Sequence, residues 1–197
     1  MLFRSGEEQV GDVVSQKAKY MRELADLIIR EAGLADAVAL FDAHQDSVLN
    51  LCAGAYSEQH MRVWFAGRSP AIYQPALEAR QIWLAEQGNR ILGFVGFVPG
   101  EITLLFVRPE VTGSGLSARL LALGAEKAES GCSGFLTVIA TQNSQRFYQR
   151  HGFIPVAEEF FARGEPEMHF NVVRMQRPIR TASGENGGGP PSSGNAE

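Results

Sequence analysis

Cysteine is scarce in this chain of 197 residues. Cys52 and Cys132 share no C-x-x-C spacing and have no paired histidines, so neither a disulfide framework nor a thiolate metal site is expected. Both read as small buried hydrophobes, which fits a reducing compartment. No run of lysine or arginine occurs and the formal net charge is -4, which leaves little to hold a phosphate backbone; no nucleic acid partner is expected. Long apolar runs are missing as well, so no membrane partner is expected. The first residues carry Arg4, Glu7, Glu8 and Asp12 where a signal peptide needs an unbroken apolar stretch, and the expected location is the cytoplasm. A P-loop, with its Lys and Ser/Thr, is absent, and no internal repeat is visible.

What is present is enough apolar content, 45%, for one real core. Residues 1–25 read as an N-terminal extension with an amphipathic stretch around Val13 to Leu24, and residues 26–181 as the domain. Residues 182–197, made of Ser, Gly, Asn and Pro with almost nothing apolar, read as a disordered tail. Leu27 to Arg30 reads as a first strand. Leu34, Val38, Phe41 and Val48 recur at helical spacing, and a second helix begins near Ser57, a good N-cap. Gln81 to Glu86, Ile91 to Val98 and Ile102 to Val107 are apolar runs split by Gly88-Asn89 and Pro99-Gly100, which predicts an antiparallel meander. A helix from Leu116 to Ser130-Gly131 then leads to a strand, Phe135 to Ala140. Two more strands, Phe153 to Phe161 and Met168 to Arg177, complete an α/β fold with a mixed sheet flanked by helices.

Two segments carry chemistry. In Val107-Arg-Pro-Glu-Val-Thr-Gly-Ser-Gly-Leu-Ser117 a strand ends, a glycine turn follows and a helix begins. Unpaired N–H groups and the positive end of a helix dipole make such a place an anion site, although a lone G-x-G is a weak signal. Downstream, Asn143-Ser-Gln-Arg-Phe-Tyr-Gln-Arg-His-Gly-Phe153 is a short helix ending at a glycine that runs into a strand. With one strand between them, the pair resembles motifs A and B of the GNAT-type N-acetyltransferases, over about Leu27 to Arg177. Thr112 stands where the pattern has Arg or Gln, and Ser117 where it has Gly or Ala.

The resemblance implies a GNAT-like, mostly antiparallel central sheet and acetyl transfer from acetyl-coenzyme A to a small-molecule or peptide amine by direct attack. It implies that Thr112, Gly113, Ser114, Gly115, Leu116 and Ser117 hold the pyrophosphate, and that backbone along Leu105, Phe106 and Val107, on a bulged strand, polarises the thioester carbonyl. It places Tyr148 as the acid for the leaving thiolate and Glu101 as the base, each against a plainer reading: a ring packed beside Phe147, and an exposed turn glutamate. Asn143 is either the N-cap of its helix or a contact to the pantetheine arm. Tyr56 and Trp64 line an acceptor pocket or simply pack in the core. The alternative function is a non-catalytic acyl-coenzyme A binding or sensing module.

The histidines contribute less. In Asp42-Ala-His-Gln-Asp46 the carboxylates share a helical face while His44 points elsewhere, a poor metal site. His151 falls in the last turn of its helix, where it complements the dipole, and His60 and His169 have no readable partner.

Overall fold

A computed structural model describes residues 26–165 and 167–179. The expected N-terminal extension and the tail from residue 182 lie outside the described residues. Strands β1 (Ile28–Glu31), β2 (Ile82–Gln87), β3 (Arg90–Val98), β4 (Glu101–Val107), β5 (Phe135–Thr141), β6 (Ile154–Arg163) and β7 (Met168–Pro178) form one sheet in the order β1-β2-β3-β4-β5-β7-β6. All neighbours run antiparallel except β4 and β5. The meander follows from its turns. Gly88 and Asn89 both take positive φ, 52° and 65°, as a two-residue hairpin connection requires, and Gly100 at φ 77° follows Pro99.

Helices α1 (Ala37–Leu51), α2 (Glu58–Trp64), α3 (Gln74–Glu78), α4 (Leu116–Glu129) and α5 (Gln145–Arg150) cover the sheet. Helix α4 buries Leu116, Leu120 and Leu121 against Val95, Ile102 and Val138 on one face. Its approach is close because Gly124 has no side chain: a Cβ there would sit 2.4 Å from Val95 Cγ2. On the opposite face, Leu40 and Ala43 of α1 pack with Tyr73, Leu77, Leu84 and Phe94. Tyr73 and Leu77 come from a short 3-10 turn, Pro70–Tyr73, and from α3. Both elements begin with proline in the first turn, where its missing N–H costs nothing. They occupy a stretch in which the sequence showed no periodicity.

Strand β4 contains an extra residue. Gly96 of β3 faces Leu104, but the next residue, Phe97, faces Ile102, so Thr103 is bulged out. One inserted residue reverses the alternation of faces. Ile102, Leu105 and Val107 therefore join the α4 side, while Leu104 and Phe106 turn toward α1.

Beyond β4, Arg108 straps α1 to the end of the strand. It is buried at 6% exposure. Its Nε donates to the Ile91 carbonyl at 2.7 Å, and its two terminal nitrogens reach Asp42 and, at 2.7 Å, Asp46. The two carboxylates thus share a face, as their spacing predicts, and hold an arginine. His44 turns inward to the Tyr73 hydroxyl, 2.7 Å from Nδ1. Burial pushes the His44 pKa down to about 3, so the ring is neutral at ordinary pH. Among the described residues no helix is long and apolar enough to cross a membrane.

Candidate functional site

The parallel junction of β4 with β5 is short. Only Glu101 with Thr137 and Ile102 with Val138 are in register, and pairing ends where Thr103 bulges. Past that point the strands diverge. The opening is a cavity of about 460 Å³, a size usual for small-molecule sites. Leu105, Phe106 and Val107 form one wall, Val138, Ile139 and Thr141 another, and Ser47, Leu51 and Cys52 of the α1 end approach from a third side. Burial raises the Cys52 thiol to about 11, so it stays protonated at neutral pH.

The glycine turn closes one end. Gly113 and Gly115 take φ of 81° and 82°, a conformation that L side chains rarely adopt. Nothing lies within 4 Å of where a Cβ would stand on either glycine, so a ligand has room to approach the backbone. Gly115 is the N-cap of α4. Thr112, Gly113, Gly115 and Ser117 line the cavity. Ser114 and Leu116 do not: the Ser114 hydroxyl accepts the Leu116 N–H at 3.1 Å, and the Leu116 side chain is buried in the core at 2% exposure. These two residues shape the turn and the others face the space.

Helix α5 supplies the opposite wall. Tyr148 lines the cavity yet is 5% exposed, with edge contacts to Phe147 and Phe153 at 5.2 and 5.6 Å. The ring is thus packed beside Phe147, as the plainer reading has it, and it also lines the cavity. Burial raises its pKa above the ordinary phenol value, so the proton is retained at neutral pH. Asn143 also lines the space, but the helix N-cap is Ser144. The Asn143 amide instead donates to the Leu51 carbonyl at 2.9 Å, tying the C-terminal end of α1 to the β5–α5 turn. His151 lies at the C-terminal end of α5, where its Nδ1 donates to the Phe147 carbonyl at 2.8 Å.

Glu101 stands apart from this wall. It is half-buried at the start of β4, in the first of the two registers with β5, and it is not among the residues lining the cavity. Tyr56 and Trp64 are core residues. Tyr56 Oη donates to the Asn171 carbonyl at 2.7 Å, and Trp64 packs on Phe170 and Phe161. His60 and His169 are linked, His60 Nε2 donating to the His169 carbonyl at 3.1 Å. That pairing crosses 109 residues and has no local signal.

A sheet that parts at a bulge, with a glycine turn and a helix N-terminus at the open end, is the frame of an acetyltransferase domain. The GNAT acetyltransferase domain family matches residues 52–173, and the chain belongs to that family. It is 32% identical over 104 residues to YafP, an uncharacterized N-acetyltransferase of Escherichia coli (strain K12). The match covers 53% of this chain and 65% of YafP, so the chain spans less than two thirds of that relative. Among solved structures, a GCN5-related N-acetyltransferase from Rhodopseudomonas palustris superimposes with a TM-score of 0.72 at 20% identity, covering 79% of this chain and 97% of its own. YncA from Salmonella typhimurium, solved with acetyl-CoA, superimposes with a TM-score of 0.60 at 19% identity, over 83% of this chain and 99% of its own.

Proposed function

We propose that the protein moves an acetyl group from acetyl-coenzyme A to a primary amine by direct attack, without an acyl-enzyme. The observation that carries this reading is the continuity of the cavity from the Gly113–Gly115 turn into the gap between β4 and β5. The residues fit the coenzyme. The open backbone of the glycine turn and the first turn of α4 would hold its pyrophosphate, and the apolar gap would take its pantetheine arm. Acetyl-coenzyme A brings the activated carbonyl. The chain then has three tasks: to polarise that carbonyl with a backbone N–H of Leu105 to Val107, to give a proton to the leaving thiolate, and to keep the amine uncharged. The Tyr148 phenol, protonated and facing the cavity, serves the second. Glu101, one register before the strands part, serves the third directly or through water.

Release of free coenzyme A in the presence of an amine panel, with acetyl-coenzyme A affinity measured by calorimetry, tests the reading. Binding with turnover supports it. Binding without turnover on any amine would favour a coenzyme-binding module instead, a reading to which Thr112 and Ser117, at variance with the family pattern, lend weight. Absence of binding would sink both.

A further inference from the structure

The glycine turn is electrically neutral where it faces the cavity. Thr112 and Ser117 bring hydroxyls to that end, and Gly113 and Gly115 bring only backbone. The charged residues nearest in sequence are spent elsewhere. Arg108 is buried in its contacts to Asp42 and Asp46, and Glu110 holds Arg90 at 2.8 Å. N–H groups and a helix dipole offer only a fraction of a positive charge, whereas coenzyme A carries a diphosphate and a phosphate monoester. The chain as a whole, at a net charge of -4, does not make up the difference.

The opposite wall does. Among the described residues that line the cavity none is acidic, and Arg150 alone carries a permanent charge. It ends α5, three residues after Phe147, so the two share a helix face, and both line the cavity. Phe147 is half-buried and Arg150 is exposed. Arg30, Arg80, Arg90 and Arg177 each hold a carboxylate, but none among the described residues holds Arg150. Its planar fork is therefore free, and that geometry suits the paired oxygens of a phosphate. A place in the last turn of α5 also suits the helix dipole, as it would for any cation there, but the dipole does not require the side chain to border the cavity. Arg146, on the same helix and likewise without a carboxylate, does not line it.

We propose that Arg150 is the cation that holds a phosphate of acetyl-coenzyme A, reaching it from the wall opposite the glycine turn and supplying the charge that Thr112 does not. This deepens the reading of the cavity as a coenzyme site and rests on it. Calorimetry on the full chain with coenzyme A and with 3′-dephospho-coenzyme A tests it and separates the two kinds of phosphate. Arg150→Gln should weaken coenzyme A binding by about tenfold, and the deficit should shrink as salt rises, because the group is exposed. If the partner is the 3′-phosphate, the parent prefers coenzyme A to the dephospho form and the variant loses that preference. If it is the diphosphate, both ligands weaken alike. Arg150→Lys should keep most of the affinity, and the melting temperature should match that of the parent in both variants. Arg146→Gln removes an equal charge from the same helix and should bind as the parent does. Unchanged affinity in Arg150→Gln, an equal loss in Arg146→Gln, or a loss that follows a lowered melting temperature and is not restored by lysine would each overturn the assignment. A parent that binds neither ligand would instead sink the reading of the cavity, and the role of Arg150 with it.

Discussion

At the scale of single residues, Tyr148 and Glu101 separate chemistry from packing. Tyr148→Phe keeps the ring against Phe147 and Phe153 and removes only the hydroxyl. General-acid help is typically worth about 10² to 10⁴ in rate, so turnover should fall by at least about tenfold while coenzyme affinity and melting temperature hold. A variant with unaltered turnover would make Tyr148 a packing residue whose proton water replaces. Glu101→Gln should also lower turnover without weakening acetyl-coenzyme A binding, and the deficit should shrink as pH rises and more of the acceptor amine arrives uncharged. Kinetics identical to the parent across pH would leave the amine's proton to water. The two substitutions lie on different elements, and their effects on binding are expected to be nil in both cases.

At the scale of elements, the bulge decides which side chains face which layer. Deleting Thr103 would restore a regular ladder with β3 and leave Leu104 and Phe106 toward α1, Leu105 and Val107 toward α4, because the residue removed is the unpaired one. The expected result is weakened coenzyme binding, since the irregularity at which β4 leaves β5 is gone, with the melting temperature largely kept; calorimetry and circular dichroism would measure the two. A deletion variant that binds normally would mean that the strand separation does not depend on the extra residue. The resemblance implied a bulge on this strand, but the residues themselves do not show it, because a bulge is a mismatch between two strands and Thr103 alone has no unusual chemistry. Local signals read well. The glycine turn, the Ser57 cap, the two hairpin turns and the apolar stripe of α4 each depend on neighbours a few residues away, and each appears in the structure close to where it was placed. The partners that cross the chain did not read: Arg108 with Asp42 and Asp46, and Asn143 with Leu51. The Pro70 to Glu78 turns escaped too, since elements of four and five residues are too short to establish a period.

At the scale of the whole molecule, the buried His44 ties stability to pH. Its folded pKa of about 3 lies below the unfolded value, so between these two the unfolded chain binds the extra proton and stability falls as pH drops. From pH 7 to pH 5.5 the loss should be about 1 kcal/mol, seen as a melting temperature lower by a few degrees. His44→Gln should flatten that slope, and a slope unchanged by the substitution would show that other groups govern it. The short junction of β4 and β5 has a broader consequence for the way the sheet comes apart. Strands β1 to β4 form one ladder and β5 to β7 another, and only two registers stitch them together, with α4 on one face and the α1 and α2 residues packed on Phe170 on the other as further bridges. Amide exchange should therefore report two zones of protection with different opening energies rather than one. A ligand seated in the gap would serve as a missing rung. At about a hundredfold above its dissociation constant it adds about 2.7 kcal/mol to the folded state, and because it touches both ladders it should merge the two zones into one. In that sense the coenzyme completes the sheet as much as it occupies it.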